Sequence, residues 1–545
     1  MDARSQVDQS CWLYILVALA VGVNCSGLFI PILGPDGAIY ASIAKTMVQR
    51  NNYIELVVQG HDWLDKPHFP FWITALSFKL FGFQTWAYKL PAILCLMMGA
   101  WYTYLFAKHL YNRQVALWSV IILLTAEHII LSNNDVRAEP YLTGLIIAAV
   151  YHFYRAHSTQ KYWPIIPGAL FTACAVMTKG LVALVPIGGA IAGECIMTKR
   201  WQDLWHRRWV CAALLILLCI TPELYCLYAQ FDAHPEKIVF GRTGVSGLRF
   251  FFWDSQFGRF MNTGPIKGQG NPAFFLHTIL WAFLPWSVVL YAAVFTTIKT
   301  SGVEWYTRVG AGLTFLLFSA SSFQLPHYIN IIFPFLAIIT AQYLSQVASA
   351  AGRRFLIVTQ YSVISLLFLL IMLLHLFFRP GYLAWWLWML LSGLVGLLML
   401  CGWLCRQEPD QRILSRTALA AIAANCYLNL GIAPCLLHYQ AGSEAAFYSN
   451  RYYPGVPVVQ LQAHNSPPLA FYLEQPLITM QHMADTATVI PRPYLVYAPA
   501  EELHGVPGQL VHTFDFFPVS RLTPQFLYYK TRPKVTKAYG LLFIQ

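Results

Sequence analysis

The chain has 545 residues, 57% of them hydrophobic, 15% aromatic and only 11% charged, with a mean hydropathy of +0.51. Soluble domains carry about a quarter charged residues, so this balance excludes an ordinary globular cytosolic enzyme. The formal net charge of +12 does not indicate nucleic acid, because the basic residues are dispersed along the chain.

Apolar stretches of about 17–25 residues recur throughout and predict transmembrane helices. The first, residues 11–33, has no Ala-x-Ala-like cleavage site and reads as a retained span rather than a removed signal peptide. Residues 34–89 then form an outer segment. Ile39, Ile43 and Met47 recur there at helical spacing, and the apolar run from Phe69 to Phe81 carries Phe71, Trp72, Ala75 and Phe78. Both runs suit helices lying in the membrane interface. Further spans are expected at 90–107, 115–131, 141–154, 163–178, 181–197 and 210–229. A second outer loop at 230–273 is rich in aromatic residues, Gly and charge. The remaining spans fall at 274–296, 309–324, 328–350, 355–378, 382–404 and 417–439, about thirteen in all, some of them short enough to be broken or re-entrant.

Loops rich in Lys and Arg alternate with loops that are not. The rich ones hold Lys108 and Arg113, Arg155 and Lys161, Lys199 and Arg200, Lys299 and Arg308, Arg353 and Arg354, and Arg406 and Arg412. The positive-inside rule puts these six in the cytoplasm, with the amino end inside and the carboxyl end outside. After about Tyr439 the texture changes. Val456 to Val459, Pro493 to Tyr497 and Gln509 to His512 read as short strands and Ser466 to Glu474 as a helix, a small α/β domain on the outer side. The expected division is therefore 1–439, membrane-embedded, and 440–545, extracytoplasmic. All twelve cysteines lie in or beside apolar segments and read as small buried hydrophobes. Cys401 and Cys405 share a helical face without a His or acidic partner nearby, which argues against a metal site there.

The chemistry-bearing residues gather in the outer loops. Asp36, in the turn Gly34-Pro35-Asp36-Gly37, reads equally as the cap of a helix starting at Gly37 and as an acid poised at the bilayer surface. Asp65-Lys66 is an ordinary surface pair or, beside Pro67 and flanking aromatics, a pre-set partly dry one. Arg137 and Glu139 follow the third span. Lys179 stands between two very apolar segments, where a lone outer lysine asks for an anionic partner. Arg242, Arg259 and Lys267 lie in the next outer loop, and His327 and Tyr328 in the turn Gln324-Leu325-Pro326-His327-Tyr328. Each alone is more often structural; their convergence on one face is the signal. Carboxylates near several cations suit transfer from a lipid phosphate, the cations stabilising the leaving phosphate while a carboxylate deprotonates the attacking group. No Walker loop or dinucleotide fingerprint is present, and an outward-facing enzyme has no nucleotide-sugar pool.

The ordered set Asp65-Lys66-Pro67, Thr178-Lys179-Gly180, Gln256-Phe257-Gly258-Arg259-Phe260, Leu284-Pro285-Trp286 and Leu325-Pro326-His327-Tyr328 resembles the integral-membrane glycosyltransferases of the protein mannosyltransferase type. Among these it is similar to the bacterial aminoarabinose transferases that modify lipid A. The resemblance covers roughly residues 10–440, and the tail is compatible with a periplasmic domain. It implies a GT-C fold, an undecaprenyl-phosphate-linked sugar donor, inversion at the anomeric carbon, and an acceptor that is lipid A, another glycan or a protein. It implies Asp36 as the catalytic acid of the first loop and Glu139 as that of the second. Lys66, Lys179 and Arg259 match positions expected to hold the donor phosphate, with Arg137, Arg242, His327 and Tyr328 as further contacts. The family often has Asp-Glu where this chain has Asp36-Gly37. Asp65 stands where related enzymes carry Glu before Lys-Pro, which leaves a divalent-metal role for it, with a histidine, open. The expected place is the inner membrane, with membrane lipids around it and the active site on the periplasmic side. The rival reading is a multispan transporter or lipid flippase, which would place ionisable groups at mid-membrane in symmetric halves.

Overall fold

A computed structural model describes residues 3–297, 304–381, 383–404, 409–482 and 490–545. Lys299, Arg406 and Cys405 lie outside the described residues. The first half is built from α1 (Ala3–Cys25), α2 (Pro35–Arg50), α3 (Phe69–Phe81), α4 (Thr85–Leu110), α5 (Arg113–Thr125), α6 (Glu127–Asn134), α7 (Glu139–Thr159), α8 (Ile165–Lys179) and α9 (Leu184–Met197). Helix occupies every apolar stretch expected to cross, within the described residues. Among the described residues five helices are long and apolar enough to cross a membrane: Thr85–Leu110, Arg207–Asp232, Pro326–Gln346, Ala350–Phe378 and Pro409–Leu437. The pair α5–α6, bent by 52°, makes a sixth if counted as one span. Shorter apolar helices, such as α8 and Leu181–Met197, run up to and away from the turn at Lys179-Gly180. The chain is thus a mainly helical, multi-pass membrane protein.

α7 is the axis of the site. It is apolar on nearly every side, which marks an interior helix, and its buried face runs from Glu139 to His157. At 1.5 Å per residue its 21 residues span about 31 Å, the thickness of a bilayer core. Glu139 stands at one end; Arg155 at the other meets the basic loop through His109 (3.0 Å). α7 crosses α4 where Gly99 faces Gly144: a Cβ on Gly144 would come within 2.0 Å of the Cys95 carbonyl oxygen. Small residues here let the two backbones close up, as in membrane helix pairs generally.

Polar side chains fix the C-terminal end of α1 and so aim the turn that follows. Lys89 Nζ donates to the carbonyls of Gly27 (2.8 Å) and Ile30 (2.7 Å). Asn133 donates to Asn24 (2.7 Å), and Asn134 to Asn429 (2.7 Å), whose own amide reaches Ser26 (2.9 Å). α2 then starts at Pro35, a favoured first helical position, and ends at Asn51 in the left-handed region (φ 50°). Its Ile43 and Met47 pack on Phe71 and Ala75 of α3, the faces the helical spacing indicated. The hairpin β1 (Val57–Val58) and β2 (His61–Asp62) joins the two helices.

A five-stranded sheet follows residue 440. Strands β3 (Val458–Leu461), β4 (Leu477–Met480), β5 (Tyr494–Pro499), β6 (Gln509–Phe516) and β7 (Lys537–Ile544) lie in the order β4-β3-β5-β7-β6. β3 is parallel to β4 and β5, whereas β7 is antiparallel to β5 and β6. The helices Ala441–Tyr452 and Pro467–Tyr472 cover one face. Strands β4 and β7 were not legible, because β4 is short and β7 carries Gly540 where a Cβ would press on Leu503 and Leu510. The sheet unit grips the helical part through α2: Lys45 Nζ donates to the carbonyls of Phe471 (2.8 Å) and Leu473 (2.7 Å), and Tyr472 Oη accepts from Ile32 N–H (2.8 Å). Of the cysteines, Cys195, Cys226, Cys401 and Cys426 are buried, while Cys11 and Cys211 face outward from apolar helices.

The α4–α7 crossing gives a direct test. Gly144→Ala should destabilise the protein by about 1–3 kcal/mol, the usual cost of overpacking, read as a lowered melting temperature in detergent; an unchanged melting temperature would contradict the close backbone approach.

Candidate active site

Asp36 is the second residue of α2, whose cap is Gly34, and its side chain makes no capping bond. The capping alternative is therefore corrected: the helix starts at Pro35, two residues earlier than Gly37. Instead Asp36 Oδ2 receives Arg137 Nη1 at 2.9 Å, and its side chain is 48% exposed. Arg137 is held by a second acid, Asp135, through Nη2 (2.9 Å) and Nε (3.0 Å). Asp135 Oδ1 in turn accepts the Gly34 N–H at 3.1 Å. Burial pushes the Asp135 carboxyl up, against the pull of Arg137. For Arg137 burial acts downward, but Asp135 and Asp36 hold its pKa above the ordinary value. The glycines of the turn have a reason. A Cβ on Gly34 would meet the Asp135 carboxylate at 2.4 Å, and one on Gly37 would meet Ile32 at 2.8 Å and Asp135 at 3.3 Å. A glutamate following Asp36 would press on the Ile32 side chain and crowd the Asp135 carboxylate.

Glu139 opens α7 and is 2% exposed. A carboxylate at a helix N-terminus is favoured by the helix dipole, and here it also receives Lys179 Nζ at 2.5 Å, with His327 Nε2 at 3.8 Å. Lys179 ends α8 and sits 3.5 Å from the centroid of the Tyr328 ring, a cation–π contact that keeps the ammonium in place. The next residue, Gly180, has φ +89°, and a Cβ there would meet Gln256 Nε2 at 2.1 Å. That space lets Gln256 donate to the Lys179 carbonyl (3.4 Å) and accept from Val182 N–H (3.2 Å). The segments Thr178-Lys179-Gly180 and Gln256 to Arg259 are thereby one packed unit.

Asp65 joins the remaining cations. Its Oδ2 receives Lys66 Nζ at 2.5 Å and its Oδ1 pairs with Arg259. Burial alone would raise the Asp65 carboxyl, but Lys66 and Arg259 hold it below the usual carboxylate range. The loop is pinned one turn on by a buried pair: Glu223 Oε1 lies 3.0 Å from His68 Nδ1 and its Oε2 accepts the His68 N–H at 2.9 Å.

Three clefts meet around these side chains. One, of about 190 Å³, is lined by Asp36, Asp65, Lys66, Arg137, Glu139, Arg259, His327 and Tyr328 together with Tyr40 and Trp63. A small polar one lies between Lys66, Lys179, Glu223 and Arg259. The third, about 370 Å³, is apolar, with Val182, Val185, Phe257, Phe260, Met261 and Leu317 running out from Lys179 and Arg259. Of the converging residues named from the sequence, Arg242 and Lys267 are not brought in; Lys267 is exposed and lines none of the three clefts. Arg242 is set apart by its turn. It is exposed and exchanges backbone bonds with Val239 (2.9 and 3.0 Å) in a turn that borders none of the three clefts. A metal on Asp65 does not fit either, since both its oxygens face cations and no histidine bonds to it among the described residues. Asp135 and Glu223 went unrecognised in the sequence. Glu223 had a readable signal, being the one acid inside the apolar stretch 210–229; Asp135 did not, because its partner Gly34 is 101 residues away.

Known proteins are similar to this chain in sequence and in fold. A family model described as dolichyl-phosphate-mannose-protein mannosyltransferase matches residues 65–226. An uncharacterized protein of Aquifex aeolicus (strain VF5) is 26% identical over 317 residues, 57% of this chain and 59% of that protein. The undecaprenyl phosphate-alpha-4-amino-4-deoxy-L-arabinose arabinosyl transferase of Edwardsiella ictaluri (strain 93-146) is 25% identical over 327 residues, 58% and 56% of the two chains. The matched region spans somewhat more than half the length of these curated relatives. Among solved structures, ArnT from Cupriavidus metallidurans bound to undecaprenyl phosphate has a TM-score of 0.73 at 17% identity, covering 98% of both chains. The resemblance to GT-C glycosyltransferases, and within them to aminoarabinose transferases, thus holds, and the chain has the GT-C fold.

The Gly180 site is testable by itself. Gly180→Ala should cost about 1–3 kcal/mol through its left-handed backbone and the displaced Gln256, seen as a lower melting temperature. Combining it with Gln256→Ala should restore part of that loss, and strict additivity of the two would refute the contact.

Proposed function

We propose that this chain is a membrane glycosyltransferase that moves a sugar from a polyprenyl phosphate to an acceptor on the outer, periplasmic face of the inner membrane. The observation that carries the proposal is the meeting of two acids and three cations, Asp36, Glu139, Lys66, Lys179 and Arg259, where a polar cleft adjoins an apolar groove. A lipid-linked sugar phosphate has that division of chemistry. Its hydrocarbon tail suits the groove lined by Phe257, Phe260 and Leu317, and its phosphate suits the cations at the groove's mouth. Its sugar then points into the cleft bordered by Asp36, Trp63 and Tyr40.

In this reading the acceptor hydroxyl or amine attacks the anomeric carbon from the side opposite the phosphate. The new bond forms as the carbon–oxygen bond to phosphate breaks, which inverts the centre. Asp36 takes the acceptor's proton; it is the half-exposed acid of the site, free to meet an incoming group. Lys66, Lys179 and Arg259 stabilise the charge arriving on the departing phosphate. Glu139 holds Lys179 in place rather than handling a proton, because its carboxylate is buried against that ammonium. Names of relatives add a candidate donor, an undecaprenyl-phosphate-linked aminoarabinose; the candidate acceptors are those the family resemblance implies, lipid A, another glycan or a protein. The loops bearing Arg155, Arg200 and Arg353 favour the cytoplasmic side, which leaves Asp36 and the sheet of residues 440–545 outside as a periplasmic unit.

Asp36→Asn should preserve expression and donor binding but lower transfer at least about a hundredfold, the lower end of the range for losing a general base. Full transfer by that variant in a reconstituted assay would refute the role. Lys179→Ala should weaken binding of polyprenyl phosphate, measured by calorimetry or scintillation proximity in detergent; unchanged affinity would count against a phosphate contact.

A further inference from the structure

At the end of α7 far from Glu139, three side chains from three separate elements converge. His157 stands in the last turn of α7, Cys195 in the last turn of α9, and Asp203 in the short helical turn Trp201–Trp205. His157 Nε2 lies 3.0 Å from Asp203 Oδ2 and 3.7 Å from Cys195 Sγ. One ligand atom from each of the three falls within 4.8 Å of the others. His157 and Cys195 are buried, and Asp203 is partly open to the basic, cytosolic side.

We infer that this cluster binds one divalent transition-metal ion, with Zn²⁺ the species its donors suit best. A nitrogen, a sulfur and a carboxylate oxygen form a mixed set that a borderline ion accepts in tetrahedral geometry, water completing the fourth position from the Asp203 side. At Zn–N and Zn–O distances of about 2.0–2.2 Å and Zn–S of about 2.3 Å, tetrahedral ligand atoms lie about 3.3–3.6 Å apart, close to the 3.0 and 3.7 Å found here. The other ring nitrogen of His157 is 2.7 Å from Tyr306 Oη. Donation of Nδ1–H to that oxygen leaves the Nε2 lone pair aimed at the thiol and carboxylate, the second layer of support that metal-bound histidines use.

Two further features favour a cation. The C-terminal turns of α7 and α9 both end at the cluster, and each brings the partial negative charge of a helix end. The nearby guanidiniums are engaged elsewhere: Arg200 Nη2 pairs with Glu194 at 3.3 Å, and Arg208 bonds to the Ala156 carbonyl (2.7 Å) and to Gln160. Binding releases the Cys195 thiol proton to solvent as sulfur becomes the ligand, so affinity rises with pH. The site is about 27 Å along α7 from Glu139, counting 1.5 Å for each of the intervening residues. Its role is to tie the cytosolic turn after α9 to α7, apart from sugar transfer.

The test uses the full-length protein in detergent, stripped with a chelator and reloaded with Zn²⁺ or Co²⁺. We expect one tightly held Zn²⁺ per chain by elemental analysis, and with Co²⁺ a thiolate-to-metal absorption band in the near ultraviolet. Cys195→Ser should abolish the band, Cys435→Ser should leave it unchanged, and Asp203→Asn should lower Zn²⁺ affinity about tenfold or more. Absence of metal and band in the wild-type protein overturns the proposal whether or not any variant folds. Persistence of the band in Cys195→Ser overturns it equally.

Discussion

Positive charge can stand in a partly dry site at a membrane boundary only if something negative stands beside it. Lys66 and Arg259 share Asp65, Lys179 leans on Glu139, and Arg137 is held between Asp135 and Asp36. Removing one partner of such a pair leaves an uncompensated charge and costs several kcal/mol, about 3–5 for a buried one. Every element that matters to the site is arranged around these pairings: α2 and α7 begin at acids, α8 ends at a lysine, and the loops at 65 and 259 meet through one aspartate.

The pairings also say what a phosphate would find. The carboxylates keep three cations oriented and desolvated before any lipid arrives, so little reorganisation is left for the bound state. In the proposed reaction the incoming donor phosphodiester would share those cations with Asp65 and Glu139 rather than meet bare charges. That sharing would limit how tightly the phosphate is held, which suits a group that must leave as the monoester product. The aromatic face of Tyr328 under Lys179 adds attraction without adding another anion to compete.

Much of this was legible in the sequence, for identifiable reasons. Hydropathy and charge alternation marked the helices because a bilayer imposes length and apolarity on any span. Asp36, Lys66, Lys179 and Arg259 stood out as charges beside apolar segments, and their placement together at the clefts follows from chain ends that a membrane forces to one face or the other. What stayed hidden depends on contacts distant in sequence. The bond from Gly34 to Asp135 and the packing of Gln256 over Gly180 leave no local trace. Arg242 had the same local look as Arg259, and only the turn closed by Val239 separates it from the site. Strand β7 escaped because its partners β5 and β6 lie upstream and its glycine weakens the alternating pattern.

In the proposed reaction, exposure divides the labour between the two acids of the cleft. Glu139 is 2% exposed and fixed between Lys179 and His327, whereas Asp36 is 48% exposed and held by a single contact from Arg137. A group that exchanges a proton with an incoming acceptor must be reachable, and a group that positions a cation must not be. Asp36 meets the first condition and Glu139 the second. The crowding that a second acid after Asp36 would meet fits the same division. Gly37 packs against Ile32 and Asp135, so the turn presents one carboxylate to the cleft and keeps the other behind it, spent on orienting Arg137. One exposed acid, backed by a buried acid and a guanidinium, is enough to receive a single proton without gathering the paired carboxylates that a divalent cation would need.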